Sequence, residues 1–164
     1  MKIVIVSDIH DNQVNLEKCL KWCKDNSIKT MICCGDVANG DTLKMLSRRF
    51  KGDIYLVKGN AELYDEKELD VCKNVTYYGK IGYFKLSKLR IGFCHEPYLI
   101  DKVLEKGECD IIFNGHTHRP WEHQEKGVGV INPGTLGGMF QKGTFAVMNT
   151  EGLKMELKVL ELIK

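Results

Sequence analysis

Short apolar runs alternate with longer amphipathic stretches along the chain. Five of these runs are rich in β-branched or other apolar residues and are too short for buried helices, so they predict strands. The five predicted strands cover residues 3–6, 30–34, 54–57, 91–94 and 111–113. Because parallel strands need a crossover connection, which is usually a helix, this alternation predicts βα units.

Amphipathic segments between the runs predict three helices. Residues 15–26 repeat apolar side chains at the spacing of one helix face. A second helix is predicted over residues 41–50, with Asp41 as its N-cap, and a third follows Pro97. An apolar stripe predicts that a helix packs against a sheet, and a capping residue marks where a helix begins.

The second half of the chain has a different period. Apolar and polar residues alternate over residues 128–131, 144–148 and 153–162, which predicts antiparallel strands. Tight turns are predicted at residues 87–88 and 150–152. The pattern therefore predicts one α/β domain over residues 1–164, with a mixed sheet system and a β-rich second half.

Composition fits a globular enzyme or binding module and excludes several other classes. The chain has 164 residues, of which 43% are hydrophobic, and this excludes disorder, collagen and coiled coil. The net charge of +2 gives no strong field of either sign. No nucleic-acid-binding surface is expected, because the longest basic run is Arg48-Arg49 followed by Lys51.

The cysteines and the amino terminus indicate a cellular compartment. Seven cysteines, an odd number without paired CxxC spacing, favour buried thiols over a disulfide framework or a structural zinc site. The first strand reaches Asp8 after only four apolar residues, so no signal peptide or membrane span is predicted. We expect a cytoplasmic protein that does not bind membranes, and the sequence leaves a homo-oligomer open.

Each of the five predicted strands is followed directly by a residue type that binds metals. These motifs are Asp8-Ile9-His10, Gly35-Asp36, Gly59-Asn60, His95 and Gly115-His116-Thr117-His118. Since loops at the carboxyl ends of strands meet at one edge of an α/β sheet, the side chains are expected to converge. The glycines permit the sharp turns and close backbone approach that such a cluster requires.

The donor set indicates the kind of metal. Two Asp, one Asn and four His suit first-row divalent ions better than calcium or magnesium. Seven ligands exceed one tetrahedral zinc site and fit two ions that share a bridging carboxylate, an arrangement used for phosphoester hydrolysis. Asp36 and Asn60 could instead be turn residues, and a single histidine is more often not a ligand. The ordered set, which takes four of the five histidines, favours the metal site.

The ordered motifs resemble those of the calcineurin-like metallophosphoesterases, and the nearest branch is the small bacterial and archaeal phosphodiesterases. Residues 132–135, Asn-Pro-Gly-Thr, are similar to the NPGS-type motif of that family. The resemblance spans most of the chain. It implies a four-layer α/β/β/α sandwich, in which two mixed β-sheets are flanked by helices and a dinuclear site lies on one rim.

The resemblance also implies residue roles. The first ion would be held by Asp8, His10, Asp36 and His118, and the second by Asp36, Asn60, His95 and His116. Asp36 would bridge, and a hydroxide shared by the ions, with Asp36, Asn60 and His95 around it, would attack the phosphorus of a small phosphoester. Manganese is expected as the native metal, with iron, nickel, cobalt and zinc as alternatives. The competing interpretation is a non-catalytic, protein-binding scaffold of the same fold, like the retromer subunit.

The sequence departs from the family pattern at two positions. Many relatives have a histidine directly after the GN pair, where this chain has Ala61, so His123, Glu62 or water would have to replace that acid. Relatives commonly have glycine after the His95 position, where this chain has Glu96, either a carboxylate at the substrate entrance or a solvent-exposed residue. Five further side chains could contact substrate but equally fit caps, packing or solvation. They are Asn12, Asn39, Tyr98, Arg119 and Trp121.

Overall fold

The computed structural model describes residues 1–163, which form two β-sheets packed face to face. The eleven strands, in chain order, are β1 (Lys2–Val6), β2 (Thr30–Cys33), β3 (Asp53–Leu56), β4 (Val75–Tyr77), β5 (Ile81–Leu86), β6 (Leu89–Cys94), β7 (Ile111–Phe113), β8 (Pro120–Glu125), β9 (Val128–Pro133), β10 (Thr144–Asn149) and β11 (Lys154–Val159). The helices are α1 (Gln13–Asp25), α2 (Gly40–Arg49) and α3 (Ile100–Leu104), with 3₁₀ turns at Glu66–Val71 and Pro97–Leu99.

Both sheets are mixed. The first has the order β11-β10-β1-β2-β3-β4, in which β1 to β4 are parallel, β10 is antiparallel to β1, and β11 is antiparallel to β10. The second has the order β5-β6-β7-β9-β8, with a parallel centre of β6, β7 and β9. The parallel strands of each sheet end at a common edge, which is where the motif loops emerge.

Three apolar clusters fill the spaces between four layers. One joins α1 and α2 to the first sheet, with Leu16 and Leu43 among its fully buried residues. The second lies between the sheets and contains Phe93 and Phe113. The third packs α3, through Val103, on the outer face of the second sheet. This is the predicted α/β/β/α sandwich. Within residues 1–163 no helix has the length and apolar character needed to cross a bilayer.

The five strand predictions from apolar runs are confirmed to within two residues at either end. The predicted α2 is also present, but its N-cap is Asn39 and not Asp41, which lies in the first helical turn. The strand predicted over residues 153–162 is shorter and ends at Val159. Its last residues instead form a turn.

Three strands were missed by periodicity. β4 has only three residues, and β5 is half-buried on both faces, so neither shows a clear alternation. β8 has the sequence PWEHQE and is exposed along almost its whole length, because it is an edge strand that pairs only with β9. Pairing with a neighbour, rather than burial, makes this segment a strand.

Candidate metal centre

The site lies on the rim where the carboxyl ends of both sheets meet. Loops after β1, β2 and β3 come from the first sheet, and loops after β6 and β7 come from the second. The loops touch through glycine: a Cβ at Gly115 would overlap Ser7 Oγ, and one at Gly35 would lie 2.7 Å from the Gly59 nitrogen. A side chain at either position would push the loops apart, so glycine is what allows them to converge.

Three buried side chains form the floor of the site. Asp8 and His95 are fully buried and Asp36 is 2% exposed. His95 Nε2 lies 3.2 Å from Asp36 Oδ2 and 4.0 Å from Asp8 Oδ1. Two carboxylates share a water-poor floor, and this arrangement requires compensating positive charge.

His10 and His118 cover Asp8 from the solvent side. Their Nε2 atoms are 3.1 Å apart, and they lie 3.7 and 3.2 Å, respectively, from Asp8 Oδ1. His10 Nε2 is also 3.6 Å from Asp36 Oδ2. Two ring nitrogens and two carboxylate oxygens thus surround one small volume.

Asn60 joins His95 and His116 on the other side of Asp36. Asn60 Oδ1 lies 2.9 Å from His95 Nε2 and 2.7 Å from His116 Nδ1. Asn60 and His116 are both exposed, unlike the floor. All seven predicted ligands therefore lie at one rim, and the side of Asn60 and His116 is open to solvent.

The donor chemistry fits bound cations. Asp8 Oδ1 is buried and has no hydrogen-bond partner within residues 1–163, although an unsatisfied buried carboxylate oxygen is costly. Two groups have donor atoms that all lie within 4.8 Å of one another: Asp8 with His10 and His118, and Asp8 with Asp36 and His95. Asp8 belongs to both groups, and Asp36 Oδ2 also faces nitrogens of both.

The surrounding backbone fixes the orientation of the donors. Asp36 Oδ1 accepts a hydrogen bond of 2.8 Å from the Ala61 N–H, which turns Oδ2 toward the histidines. The Asp8 Oδ2 atom accepts from the His116 N–H at 3.1 Å. His95 Nδ1 donates to the Cys34 carbonyl at 2.7 Å, which leaves Nε2 free to act as a donor atom to a metal.

Several of these residues have left-handed backbone conformations that favour glycine. φ is +53° at Asp8, +44° at His10, +55° at Asp36, +71° at His116 and +60° at His118. Each costs on the order of 1 kcal/mol or more, and such conformations cluster at functional sites. The chain therefore bears strain at the positions where it presents these side chains.

The buried carboxylates create a negative potential that shifts the pKa values of neighbouring histidines. Burial opposes protonation of His95, but the bond to Asp36 and the charge of Asp8 outweigh it and raise the pKa of His95. The neighbouring Asp8 carboxylate raises the pKa of His10. Burial also opposes ionisation of Asp36, yet His95 and the Ala61 N–H bring the pKa of Asp36 below its usual value. Each shift favours positive charge beside negative charge.

The Glu62 carboxylate is bonded to backbone N–H groups, whereas an acid that replaces the missing histidine would have to face the substrate. Its carboxylate accepts hydrogen bonds from the N–H groups of Val37, Ala38 and Gly59, at 3.3, 2.9 and 3.2 Å. Burial raises the pKa of Glu62, and those N–H groups partly offset the effect. Glu62 therefore holds the Asp36 and Asn60 loops together, with its oxygens turned toward backbone.

The positions of His123 and Glu96 bear on two roles considered from the sequence, a replacement acid for His123 and a solvent-exposed residue for Glu96. His123 lies on exposed β8, where its Nε2 pairs with Glu125 at 3.3 Å. The solvent-exposed interpretation of Glu96 is wrong, because this residue is only 7% exposed and Oε1 accepts from the Tyr98 hydroxyl at 3.3 Å. Its other oxygen has no partner among the described residues.

The remaining candidates divide between structural and exposed positions. Asn12 caps α1 and donates to the Gly137 carbonyl, and Asn39 donates to Asp11. Arg119 and Trp121 are exposed and follow His118. Thr135, which motif reasoning did not single out by itself, is fully buried and donates to the Asp8 carbonyl at 2.9 Å. Only its place in the Asn-Pro-Gly-Thr segment signalled a contribution to the site.

Comparison with known proteins gives a family match over residues 1–153, to the calcineurin-like phosphoesterase superfamily domain. Phosphodiesterase MJ0936 of Methanocaldococcus jannaschii is 28% identical over 167 residues, covering 98% of this chain and all of that protein. A solved structure described as that of a novel archaeal phosphodiesterase has a TM-score of 0.84 at 24% identity, covering 97% of this chain and 99% of the other.

A further structural likeness is to a protein whose name does not describe a phosphodiesterase. Vps29 of Entamoeba histolytica, in a structure complexed with Zn²⁺, has a TM-score of 0.67 at 18% identity. The match covers 98% of this chain and 99% of that one. At this level of identity the likeness shows a shared fold.

Proposed function

The chain belongs to the calcineurin-like phosphoesterase superfamily, and from this premise we propose that it is a metal-dependent phosphodiesterase that hydrolyses a small phosphoester. The observation that carries the proposal is the convergence of five further donor residues around the buried Asp8 and Asp36, with Asp8 Oδ1 accepting no hydrogen bond within residues 1–163. The 28% identity to a phosphodiesterase over the full chain length supports the reaction class. We further propose that residues 1–164 form one catalytic domain.

Two divalent ions would be held by the donors already described. Asp8, His10, Asp36 and His118 would hold the first ion; Asp36, Asn60, His95 and His116 would hold the second. The position of Asp36 Oδ2, between His10 and His95 at 3.6 and 3.2 Å, supports Asp36 as the bridge. The mixture of carboxylate, amide and imidazole donors favours a first-row ion, and we propose manganese.

Such ions supply a nucleophile at neutral pH and offset the negative charge of the phosphoryl group. The protein residues position these elements. Asp8, Asp36 and His95 exclude water from the floor, while the exposed Asn60 and His116 mark the side from which substrate enters. With neutral histidines, two ions and two Asp carboxylates leave the site cationic, which matches an anionic phosphodiester.

Ala61 indicates the kind of leaving group. Its methyl side chain cannot donate a proton, and Glu62 is occupied by three backbone N–H groups. Without a positioned general acid, departure depends on the intrinsic stability of the leaving oxyanion. The preferred substrates are therefore esters whose leaving groups are weak bases.

The test measures metal content and hydrolysis of bis(p-nitrophenyl) phosphate with added Mn²⁺. Asp36→Asn should lower kcat/KM by at least about 100-fold, because it weakens both ion sites. His123→Ala, the fifth histidine and outside the cluster, is the matched control and should retain wild-type turnover. Equal rates in wild type and Asp36→Asn would refute the proposal, since a contaminating enzyme gives that result.

The alternative is a non-catalytic scaffold, favoured by Ala61 and by the structural likeness to Vps29. Because the Entamoeba Vps29 was crystallised with Zn²⁺, metal binding alone does not separate the two functions. Turnover does. A protein that binds two ions through these residues but hydrolyses none of a panel of cyclic nucleotides, dinucleotides and activated phosphodiesters would support the scaffold.

A further inference from the structure

Three neighbouring surface cavities lie along α1 and α2 and beside the segments that follow α2. Their volumes are about 500, 520 and 660 Å³, and Arg48 lines all three. We call the part of these cavities that is lined by Lys24, Arg48, Lys51 and Lys73 the basic groove. Its residues come from three separate segments, so no run in the sequence reveals it.

Positive charge is concentrated in the basic groove. Seven Lys and Arg side chains line the three cavities against four carboxylates, a net +3. The whole chain carries only +2, so the rest of the molecule is slightly negative. No nucleic-acid surface was expected from the sequence, because the fold brings these basic residues together from segments that are far apart along the chain.

Four of these cations are not neutralised by the protein. Lys21, Lys44 and Arg49 pair with carboxylates, whereas the four groove-defining residues have no carboxylate partner among residues 1–163. Two of them are held together, since Lys51 Nζ donates to the Arg48 carbonyl at 2.8 Å. Gathering like charges destabilises the folded state, and a bound polyanion would offset that cost.

The basic groove is at the opposite edge of the first sheet from the metal rim. Lys29, Lys51 and Lys73 precede β2, β3 and β4, three neighbouring parallel strands. Strand spacing places such positions about 4.8 Å apart in a row. The strands separate this row from the metal rim by roughly 15 Å, so a small phosphoester held at the rim does not reach the groove.

The lining selects among polyanions. Val71 is the one markedly exposed apolar side chain of the lining, while Leu20 is buried and Met45 is half-buried, so the apolar anchors of a peptide or membrane site are scarce. No exposed aromatic ring within the described lining offers a stacking surface for single-stranded bases. Arg48 supplies a planar fork suited to phosphate.

We propose that the basic groove binds the phosphodiester backbone of double-stranded nucleic acid without regard to sequence. Four free cations predict a salt slope of about −3.6, so affinity falls on the order of 100-fold between 50 and 200 mM salt. Binding is of the non-specific kind, with a Kd roughly in the micromolar range at low salt.

The test measures fluorescence anisotropy of a labelled 20-base-pair DNA duplex on the full chain. The triple variant Lys24→Gln, Arg48→Gln, Lys51→Gln should weaken binding at least tenfold at 50 mM salt and reduce the salt slope by about 3. The matched control is Lys85→Gln, Lys88→Gln, Lys106→Gln, with the same charge change at three exposed lysines near β5 and the end of α3. It should stay within about twofold of wild type.

Other readouts separate binding from folding and from the metal site. The groove variant should have a thermal midpoint no lower than that of wild type, because repulsion between like charges is removed, and should keep its hydrolysis of bis(p-nitrophenyl) phosphate. Equal weakening by both triple variants, a flat salt dependence, or no binding at 50 mM salt would overturn the proposal. Tighter binding to polyglutamate or to phosphatidylserine vesicles than to the duplex would also overturn it, because the groove would then serve a different partner.

Discussion

At the scale of single residues, Ala61 stands directly after Asn60, which faces His95 and His116. Its N–H orients Asp36, but its side chain contributes no proton donor. Selectivity for leaving groups therefore depends on what this residue lacks.

Ala61→His should accelerate hydrolysis of esters with basic leaving groups, because it restores a general acid beside the substrate. A positioned acid contributes roughly 100-fold or more, and the gain should be small for p-nitrophenyl esters. The measurement is kcat/KM across leaving groups of graded basicity. Ala61→Gln, similar in polarity but without a titrating proton, is the control, and an equal gain from both variants would contradict the acid role.

Gly59 is the second residue whose small size determines the site. A Cβ at this position would overlap the Asp36 carboxylate and its backbone nitrogen. Gly59→Ala should therefore displace Asp36, lower stability by about 1–3 kcal/mol and weaken metal affinity.

Gly129→Ala is the matched control, because its Cβ would meet nothing nearer than Gln124 Nε2 at 3.6 Å. Urea unfolding and metal titration of both variants provide the comparison. If Gly59→Ala binds metal as tightly as Gly129→Ala does, the contact between the two loops is not what positions Asp36.

The ligand candidates could be located from sequence because each follows an apolar strand run. The residues that orient them could not. Glu62 and Thr135 act by accepting from, or donating to, backbone groups of loops distant in sequence. Such contacts depend on how the two sheets meet, and no local pattern encodes that.

At the scale of elements, buried strands and amphipathic helices were predictable and edge strands were not. β1, β2 and β7 are buried on both faces and give continuous apolar runs. β8 has no such signal, since its partner is one neighbouring strand. The presence of two sheets likewise came from the family resemblance and not from periodicity, and the sequence did not predict which motif loop belongs to which sheet.

Arg90 and Asp110 join β6 to the start of β7, the strand whose loop contains His116 and His118. Asp110 accepts from the Arg90 guanidinium at 2.6 and 3.2 Å and from its N–H at 2.7 Å. Those bonds hold the pKa of Asp110 below its usual value. A depressed carboxyl pKa stabilises the fold above the unfolded pKa of about 3.9, and the effect is lost as pH falls through the folded value.

Asp110→Asn should therefore lower the thermal midpoint at pH 7, and the difference from wild type should narrow below about pH 4. Thermal unfolding between pH 3 and 7 measures this. Asp70→Asn, at an exposed position, is the control and should track wild type throughout. A difference that persists unchanged at pH 3 would show that the loss is one of packing and not of charge.

At the scale of the whole molecule, the fold places the two proposed binding sites at opposite ends of the first sheet's parallel strands. The rim at the carboxyl ends of both sheets presents the seven donor residues, and the amino edge of the first sheet presents the basic groove. A net charge of +2 conceals both features, because paired charges over the rest of the surface nearly cancel. Mutations in the basic groove should therefore leave hydrolysis unchanged, and mutations of the metal ligands should leave duplex binding unchanged.

If Asp36 bridges two ions, its loss should disrupt both ion sites, and equilibrium dialysis of metal-free protein against Mn²⁺ with elemental analysis measures how many ions bind. Wild type and His123→Ala should bind two ions per chain, and Asp36→Asn fewer than one. A single ion in wild type, or two ions retained by Asp36→Asn, would contradict the bridging role of Asp36.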